Sequence, residues 1–391
     1  MMMMTSKSSS EKTSEYLPLD LLQEILFRSP VKSLARLKHV SKSWYTLITD
    51  PNFIYLHLNR SLQHNKFSFF ISNSNNLYSI DQDPTATTQL LSDHPQHRGF
   101  QVKASCDGLL LLLLSLKSSE SKSKVFLRIW NPSTGEFINI PAANEYVSNY
   151  NRETYGFGYG PYGSNRKDYK VLVVARSANA DKVKIFSTAS RSRTWRVIKD
   201  SRIEHNNFHK NIVYDRQGVF VMGAFHWLVF GFNLGDVPKD GRIITFDFEC
   251  EKFNNIQTPK PLDFINENLR LSMWRENLCL FVQDLRDCSS HIFVMKEYGA
   301  RDSWCKMYSI PDQTLKKYKR YRLWSMVCFI DDGKILLQHE HVSRPKVVLY
   351  DTKSCKFDEL ELREDLESVL KKWSDVYAYV PSLVPIKDIT R

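Results

Sequence analysis

No stretch of this chain stays apolar long enough to cross a bilayer as a helix, which takes about 20 residues. The nearest approach is GLLLLLLSL, Gly108–Leu116, which reads as a buried strand of a closed all-β fold. The opening residues, MMMMTSKSSSEKTSE, are rich in Ser, Thr, Lys and Glu and hold no apolar block. Residues 1–15 therefore read as a disordered leader and not as a signal peptide. The cysteines lack any pairing pattern: there are seven, at 106, 250, 279, 288, 305, 328 and 355, an odd number with no CxxC. That argues against a disulfide framework and for reduced thiols, most of them buried, in a cytosolic or nuclear protein.

Catalytic signatures are missing as well. HExxH, GxSxG and Cys/His clusters at ligand spacing are absent, so no metal site, no active site and no cofactor is expected. GFGYGP (156–161) is glycine-rich, yet no lysine and no helix follow it as a phosphate loop requires; it reads as a turn entering a strand. His226, in GAFHWL, has no partner at ligand spacing and reads as a satisfied core histidine. Asp331-Asp332 stand before Gly333 and read as a hairpin turn.

What remains is a soluble globular composition, 42% hydrophobic and 25% charged over 391 residues, which is enough for two or three domains. A net charge of +11 favours acidic partners or nucleic acid, but only weakly on its own.

The two ends of the chain differ in texture. Near the start, Leu17, Leu21 and Ile25 recur every fourth residue, and Leu22 with Leu26 forms a second stripe at the same spacing. Both stripes lie on a helix, on adjacent faces. Pro18 suits the first turn, and Ser29-Pro30 ends the helix because a residue before proline leaves the α region. Val31, Leu34, Leu37 and Val40 step by three along a second helix. Ser41 caps a third, on which Trp44, Leu47 and Ile48 share a side, and Asp50-Pro51 closes the unit. Half of the residues from Leu17 to Leu56 are apolar or aromatic. So small a unit cannot bury them all against itself, so some must meet the rest of the chain or a second protein.

LPLDLLQEILFRSPVKSLARLKHVSKSWYTLITDPNF resembles an F-box, the motif that docks on the Skp1 adaptor of cullin–RING ubiquitin ligases. The match places Leu17-Pro18, Leu21, Ile25-Leu26, Pro30, Leu34, Leu37, Val40-Ser41-Lys42, Trp44, Ile48 and Phe53 at the expected spacings. It departs from the pattern at Ser29, where a leucine is common. The resemblance implies an F-box over 16–60 whose surplus apolar surface is a Skp1 interface, with Leu17, Pro18, Leu21, Ile25 and Leu37 as its anchors. Trp44 is assigned to the core.

From residue 66 onward, short apolar runs alternate with polar turns. Five segments share one layout: IWNPSTGEFINIP, IFSTASRSRTWRVI, TFDFECEKFNNIQTP, VMKEYGARDSWCKMYSIP and LYDTKSCKFDELEL. Each ends a strand on a large residue, turns, and opens the next strand on an aromatic. The gaps are 7, 9, 7, 9 and 7, from Trp130, Phe186, Phe246, Met295 and Tyr350 to Phe137, Trp195, Phe253, Trp304 and Phe357. These aromatics stand 58, 58, 51 and 53 residues apart. A hairpin recurring near every 50 residues predicts propeller blades. A sixth blade is expected from 66–80 with 376–385, closing the ring on its own ends. Six blades is the expectation; five, seven, or a stack of open β-sandwiches remain compatible.

SCDGLL, YGFGYGP, DYKVLVV, GAFHWL and IITFDFECEKF, with the first hairpin above, resemble the F-box-associated domain of the plant F-box/kelch-type family over 66–385, although the kelch double glycine is absent. The family resemblance implies a non-catalytic substrate receptor of an SCF (Skp1–cullin–F-box) ubiquitin ligase. It would join a Skp1-like adaptor, and through it a cullin, to an unidentified protein target. A Skp1-associated interaction protein without ligase function is the alternative, and an enzyme within the propeller would need a catalytic constellation that the sequence lacks. For the target contact the sharpest feature is LKKYKRYR (315–322): Lys316, Lys317, Tyr318, Lys319, Arg320, Tyr321 and Arg322. Cations interleaved with aromatics suit an acidic protein surface better than nucleic acid, and as a solvated inter-blade loop the run would carry no function. The polar connector Ser177–Lys182 is a second candidate.

Overall fold

The computed structural model describes residues 18–386 apart from 65–66, 73–76, 81–86, 92–96, 117–123, 147–152, 162–166, 176–181, 199–211, 215–217, 232–241, 260–266, 285, 287–288, 311–323, 331–332, 340–345 and 360–374. The leader at 1–15 lies outside the described residues.

Four helices come first, one more than expected: α1 (Leu19–Arg28), α2 (Val31–Leu37), α3 (Lys42–Ile48) and α4 (Pro51–Gln63). The first three start and stop where the proline and serine signals put them, and Ser41 Oγ accepts the Trp44 N–H at 3.2 Å. Asp50-Pro51, however, does not close the unit. Asp50 Oδ1 accepts the N–H groups of Asn52 and Phe53 at 2.9 and 3.1 Å, and Pro51 occupies the first helical position. A capping carboxylate followed by a proline with no N–H to satisfy is a strong helix start, so the pair opens α4.

The remainder is a ring of six antiparallel sheets. The first blade is β1 (Ser68–Ser72), β2 (Leu77–Ile80) and β3 (Thr87–Leu91), completed on its inner side by the last strand among the described residues, β25 (Asp375–Tyr379). β25 pairs with β1 from Ser68↔Tyr379 to Ser72↔Asp375, so the ring closes as its two terminal segments predicted. The second blade is β4 (His97–Cys106), β5 (Leu109–Leu116), β6 (Lys124–Trp130) and β7 (Phe137–Tyr146), and the third is β8 (Glu153–Gly160), β9 (Asp168–Ala175), β10 (Lys182–Ser187) and β11 (Arg196–Val197). In the fourth the inner strand is in two pieces, β12 (Ile212–Tyr214) and β13 (Val219–Val221). Both pair with β14 (Ala224–Gly231), which is followed by β15 (Arg242–Asp247) and β16 (Lys252–Gln257). The fifth is β17 (Glu267–Trp274), β18 (Asn277–Asp284), β19 (Ser290–Met295) and β20 (Trp304–Ile310). The sixth is β21 (Trp324–Phe329), β22 (Lys334–His339), β23 (Lys346–Asp351) and β24 (Lys356–Glu359).

Register explains why the aromatic repeat was readable. Trp130↔Phe137, Phe246↔Phe253, Met295↔Trp304 and Tyr350↔Phe357 are direct cross-strand partners of the two outer strands, and such pairs stabilise a sheet locally. In the three seven-residue hairpins the residue after the first member turns the chain. Asn131, Asp247 and Asp351 each accept two backbone N–H groups through Oδ1. The two nine-residue hairpins carry tryptophan for a different reason. Trp195 Nε1 donates to Pro141 O at 2.9 Å and Trp304 Nε1 to Gln257 O at 3.0 Å. Each reaches across to the outer strand of the preceding blade, so these two blades are fastened to their neighbours from outside.

The leucine run is β5. It lies between β4 and β6 and packs on both faces, so Leu109–Leu112 are buried without alternation. GFGYG, read as a turn, is instead the inner strand β8. A Cβ on Gly158 would stand 2.4 Å from the Phe220 ring and 2.5 Å from that of Phe248, so the glycine makes room for aromatic side chains of the next blade. His226 is fully buried, with Nδ1 3.2 Å from Val219 O and Nε2 2.9 Å from the Tyr298 hydroxyl. Burial lowers its pKa from 6.5 to about 4, keeping the ring neutral. Asp331-Asp332 lie outside the described residues, although β21 and β22 on either side do pair as a hairpin. Of the six described cysteines, 106, 279 and 328 are buried and 250, 305 and 355 exposed, so burial is the fate of half and not of most. No helix among the described residues is long and apolar enough to cross a membrane.

Candidate functional site: an exposed apolar face and the joint beneath it

The two leucine-rich stripes of α1 part company in the fold. Leu26 is buried and Leu22 half-buried, packed with Val31, Leu34, Ile48 and Phe53 in a small helical core. Phe27 stacks on Phe53 at 4.6 Å, which fixes α1 against α4. The other stripe faces solvent, with Leu21 55% and Ile25 53% exposed. Pro18 is exposed at the head of the same helix. Val40, after α2, is 67% exposed, and Tyr45 on α3 and Leu56 on α4 are exposed too. Of the five residues expected to anchor an adaptor, Pro18, Leu21 and Ile25 thus lie on open surface. Leu37 is half-buried against the helical core, and Leu17 lies outside the described residues. Trp44 is half-buried against the same core. Sequence periodicity could not separate Val40, Tyr45 and Leu56 from core positions, because apolar identity alone does not say which way a side chain faces.

Beneath this face the head is joined tightly to the ring. Leu58 of α4 belongs to the main propeller core, and Leu383, beyond β25, belongs to the core of the helical head. The segment carrying Leu383 is held from both sides. Asn131 Nδ2 donates to Ser382 O at 3.1 Å and Val384 O at 2.8 Å. Ser382 Oγ donates to Asp107 O, and the Ile386 N–H to Glu136 Oε2 at 2.9 Å. Asp107 and Gly108 form the β4–β5 turn with both residues left-handed (φ 53° and 79°). Gly108 is required there, since a Cβ would sit 2.3 Å from Val380 O. Nearby, Lys167 Nζ lies 2.6 Å from Asp107 Oδ2 with both side chains nearly buried, and the Tyr169 hydroxyl donates to the same oxygen at 2.8 Å. Burial first, and then Asp107, push the Tyr169 hydroxyl pKa well up, so it keeps the proton it donates. Lys167 stands 4.0 Å over Tyr159 and 5.7 Å from the ring of Tyr55 on α4, linking head to ring.

The basic run Lys316, Lys317, Tyr318, Lys319, Arg320, Tyr321 and Arg322 lies outside the described residues, as does Ser177–Asp181. The strands that flank the run end at Ile310 and begin at Trp324. Strand direction alternates through each blade, so these ends face away from the β4–β5 turn and from α4. No group of three His, Cys, Asp or Glu among the described residues is arranged to hold a metal ion.

An F-box-type helical head on a six-bladed propeller is therefore the class of molecule that the fold defines. Residues 15–56 match the F-box domain family and residues 41–386 the F-box associated beta propeller domain family, and the chain belongs to the plant F-box proteins that carry this propeller. Among proteins of Arabidopsis thaliana it is similar to F-box protein CPR1, 29% identical over 377 residues covering 89% of this chain and 85% of that protein. It is also similar to putative F-box only protein 15, 28% identical over 409 residues covering 97% and 99%.

Proposed function

We propose that this chain is the substrate-recognition subunit of an SCF ubiquitin ligase, binding a Skp1-like adaptor with its helical head and presenting a target protein on its propeller. The observation that supports this reading best is the exposed stripe Pro18, Leu21 and Ile25 on a helix whose opposite stripe is already buried. Apolar side chains in that position gain most of their burial energy only when a partner arrives, and a few such anchors dominate an interface. Leu17 and Leu37 are assigned to the same contact. The chain itself forms no covalent intermediate. It raises the effective concentration of target lysines near a charged conjugating enzyme. The target contact is assigned to the face away from α4, on which β20 ends and β21 begins, the two strands that flank the basic run in sequence.

The test is capture of a purified Skp1-like adaptor by the full chain and by a Leu21→Asp/Ile25→Asp variant. The wild type should retain the adaptor and the variant should lose it at least tenfold, with unchanged thermal unfolding. Equal retention by both would overturn the reading. Because Leu383 ties the head to the ring, the same double variant is a better trap for targets than deletion of the head. Trapped proteins should rise in abundance when the proteasome is inhibited; if they do not, the chain acts as a Skp1-associated scaffold without ligase function.

A further inference from the structure

A cavity of about 350 Å³ runs along the centre of the ring on the side closed by α4. Its walls come from the inner strands β4, β8, β13, β17, β21 and β25, and its roof from Tyr55, Asn59 and Leu62 of α4. The volume lies in the range of small-molecule sites. We propose that this cavity binds an uncharged small molecule with a flat apolar body and one hydroxyl or carbonyl at its end.

Three observations select that chemistry. The body of the cavity is apolar and partly aromatic, with Tyr159, Phe220, Met273 and Val327 on its walls, which suits a flat ring system. The roof end is polar, and the charges beside it, Asp107 and Lys167, neutralise each other. Tyr55, Asn59 and Ser105 line the cavity, all half-buried, and none of their side chains makes a hydrogen bond to another described residue. Half-buried amide and hydroxyl groups without a partner among the described residues are available to a ligand's own hydroxyl or carbonyl. Charge, finally, is balanced. Lys103, Asp107 and Glu276 line the cavity, Lys167 is bonded to Asp107 behind it, and the four formal charges cancel. A charged ligand would enter without a counter-ion to compensate its loss of water. Because the roof belongs to the head and the walls to the ring, an occupant touches both and strengthens the joint between them.

The test uses the full chain and three matched probes: 2-naphthol, naphthalene and 2-naphthoate at pH 7, with binding read by saturation-transfer NMR titration. 2-Naphthol should bind saturably and at least fivefold tighter than either of the others. Asn59→Leu should bring 2-naphthol down to the affinity of naphthalene and leave naphthalene unchanged. Ala378→Phe, which places a ring in the cavity wall, should abolish binding of all three. If that variant does not fold, the Asn59→Leu comparison decides alone. The proposal is overturned if no probe binds, if 2-naphthoate binds best, or if Asn59→Leu leaves the preference for 2-naphthol intact. None of these outcomes depends on adaptor binding, so the cavity and the ligase reading stand or fall separately.

Discussion

Head and ring treat apolar side chains in opposite ways. Nine large hydrophobic residues are exposed among the described residues, and five of them, Leu21, Ile25, Val40, Tyr45 and Leu56, belong to the short helical head. The propeller, several times longer, exposes the other four, and they are scattered: Phe137, Val197, Met222 and Tyr298. A ring of blades can bury both faces of its inner strands because each blade covers the next. The four helices have no neighbour for their outer side among the described residues. The contrast separates buried residues from exposed ones, although both are leucine and isoleucine.

That contrast can be broken most directly inside the head. Leu34→Ala, at a fully buried site, should cost about 3 kcal/mol in denaturant unfolding. Ile25→Ala, on the open stripe, should cost less than about 0.5 kcal/mol. Equal costs would mean that the exposed stripe is structural after all. Asn131→Ala tests whether the joint is as firm as the cores it links. Two buried carbonyls lose their donor and a turn loses its acceptor, so a loss of about 3 kcal/mol is expected, with head and ring transitions separating in a thermal scan.

Acid should act on the ring through His226. Its pKa is about 4 in the fold and 6.5 ordinarily, so the unfolded chain binds the extra proton. The contribution is intact above pH 6.5 and is lost as pH falls toward 4, by up to about 3 kcal/mol. His226→Gln should flatten that part of the stability–pH curve. Trp304→Phe should cost about 1 kcal/mol, since the cross-strand ring survives and only the bond to Gln257 is lost. At the smallest end, Cys355 holds φ 53° in an exposed turn, and Cys355→Gly should raise stability by up to about 1 kcal/mol.

The parts of this fold that were legible in the sequence are those where one residue type must meet another at a fixed spacing. Trp130 and Phe137 face each other across a turn, and the same geometry repeats at Phe246–Phe253 and Tyr350–Phe357. What escaped reading depended on distant neighbours. Gly158 looks like a turn residue until Phe220 and Phe248, more than sixty positions on, occupy the space beside it. Asp50-Pro51 looks like a stop until the carboxylate turns toward the N–H groups ahead of it. For the candidate docking face, spacing placed Leu21 and Ile25 on one stripe but could not tell that Leu37 leans inward, because that is settled by what packs around it.

Leu383 has a consequence for how the molecule comes into being. It lies past the strand that shuts the ring, yet it completes the core of the helical head more than 300 residues upstream. Synthesis runs from N- to C-terminus, so these helices leave the ribosome lacking one of their own core residues and must wait until the stretch carrying Leu383 is made. A product cut short before β25 has neither a shut ring nor a finished head. Head and ring therefore mature together, and a fragment that holds one without the other is disfavoured by construction.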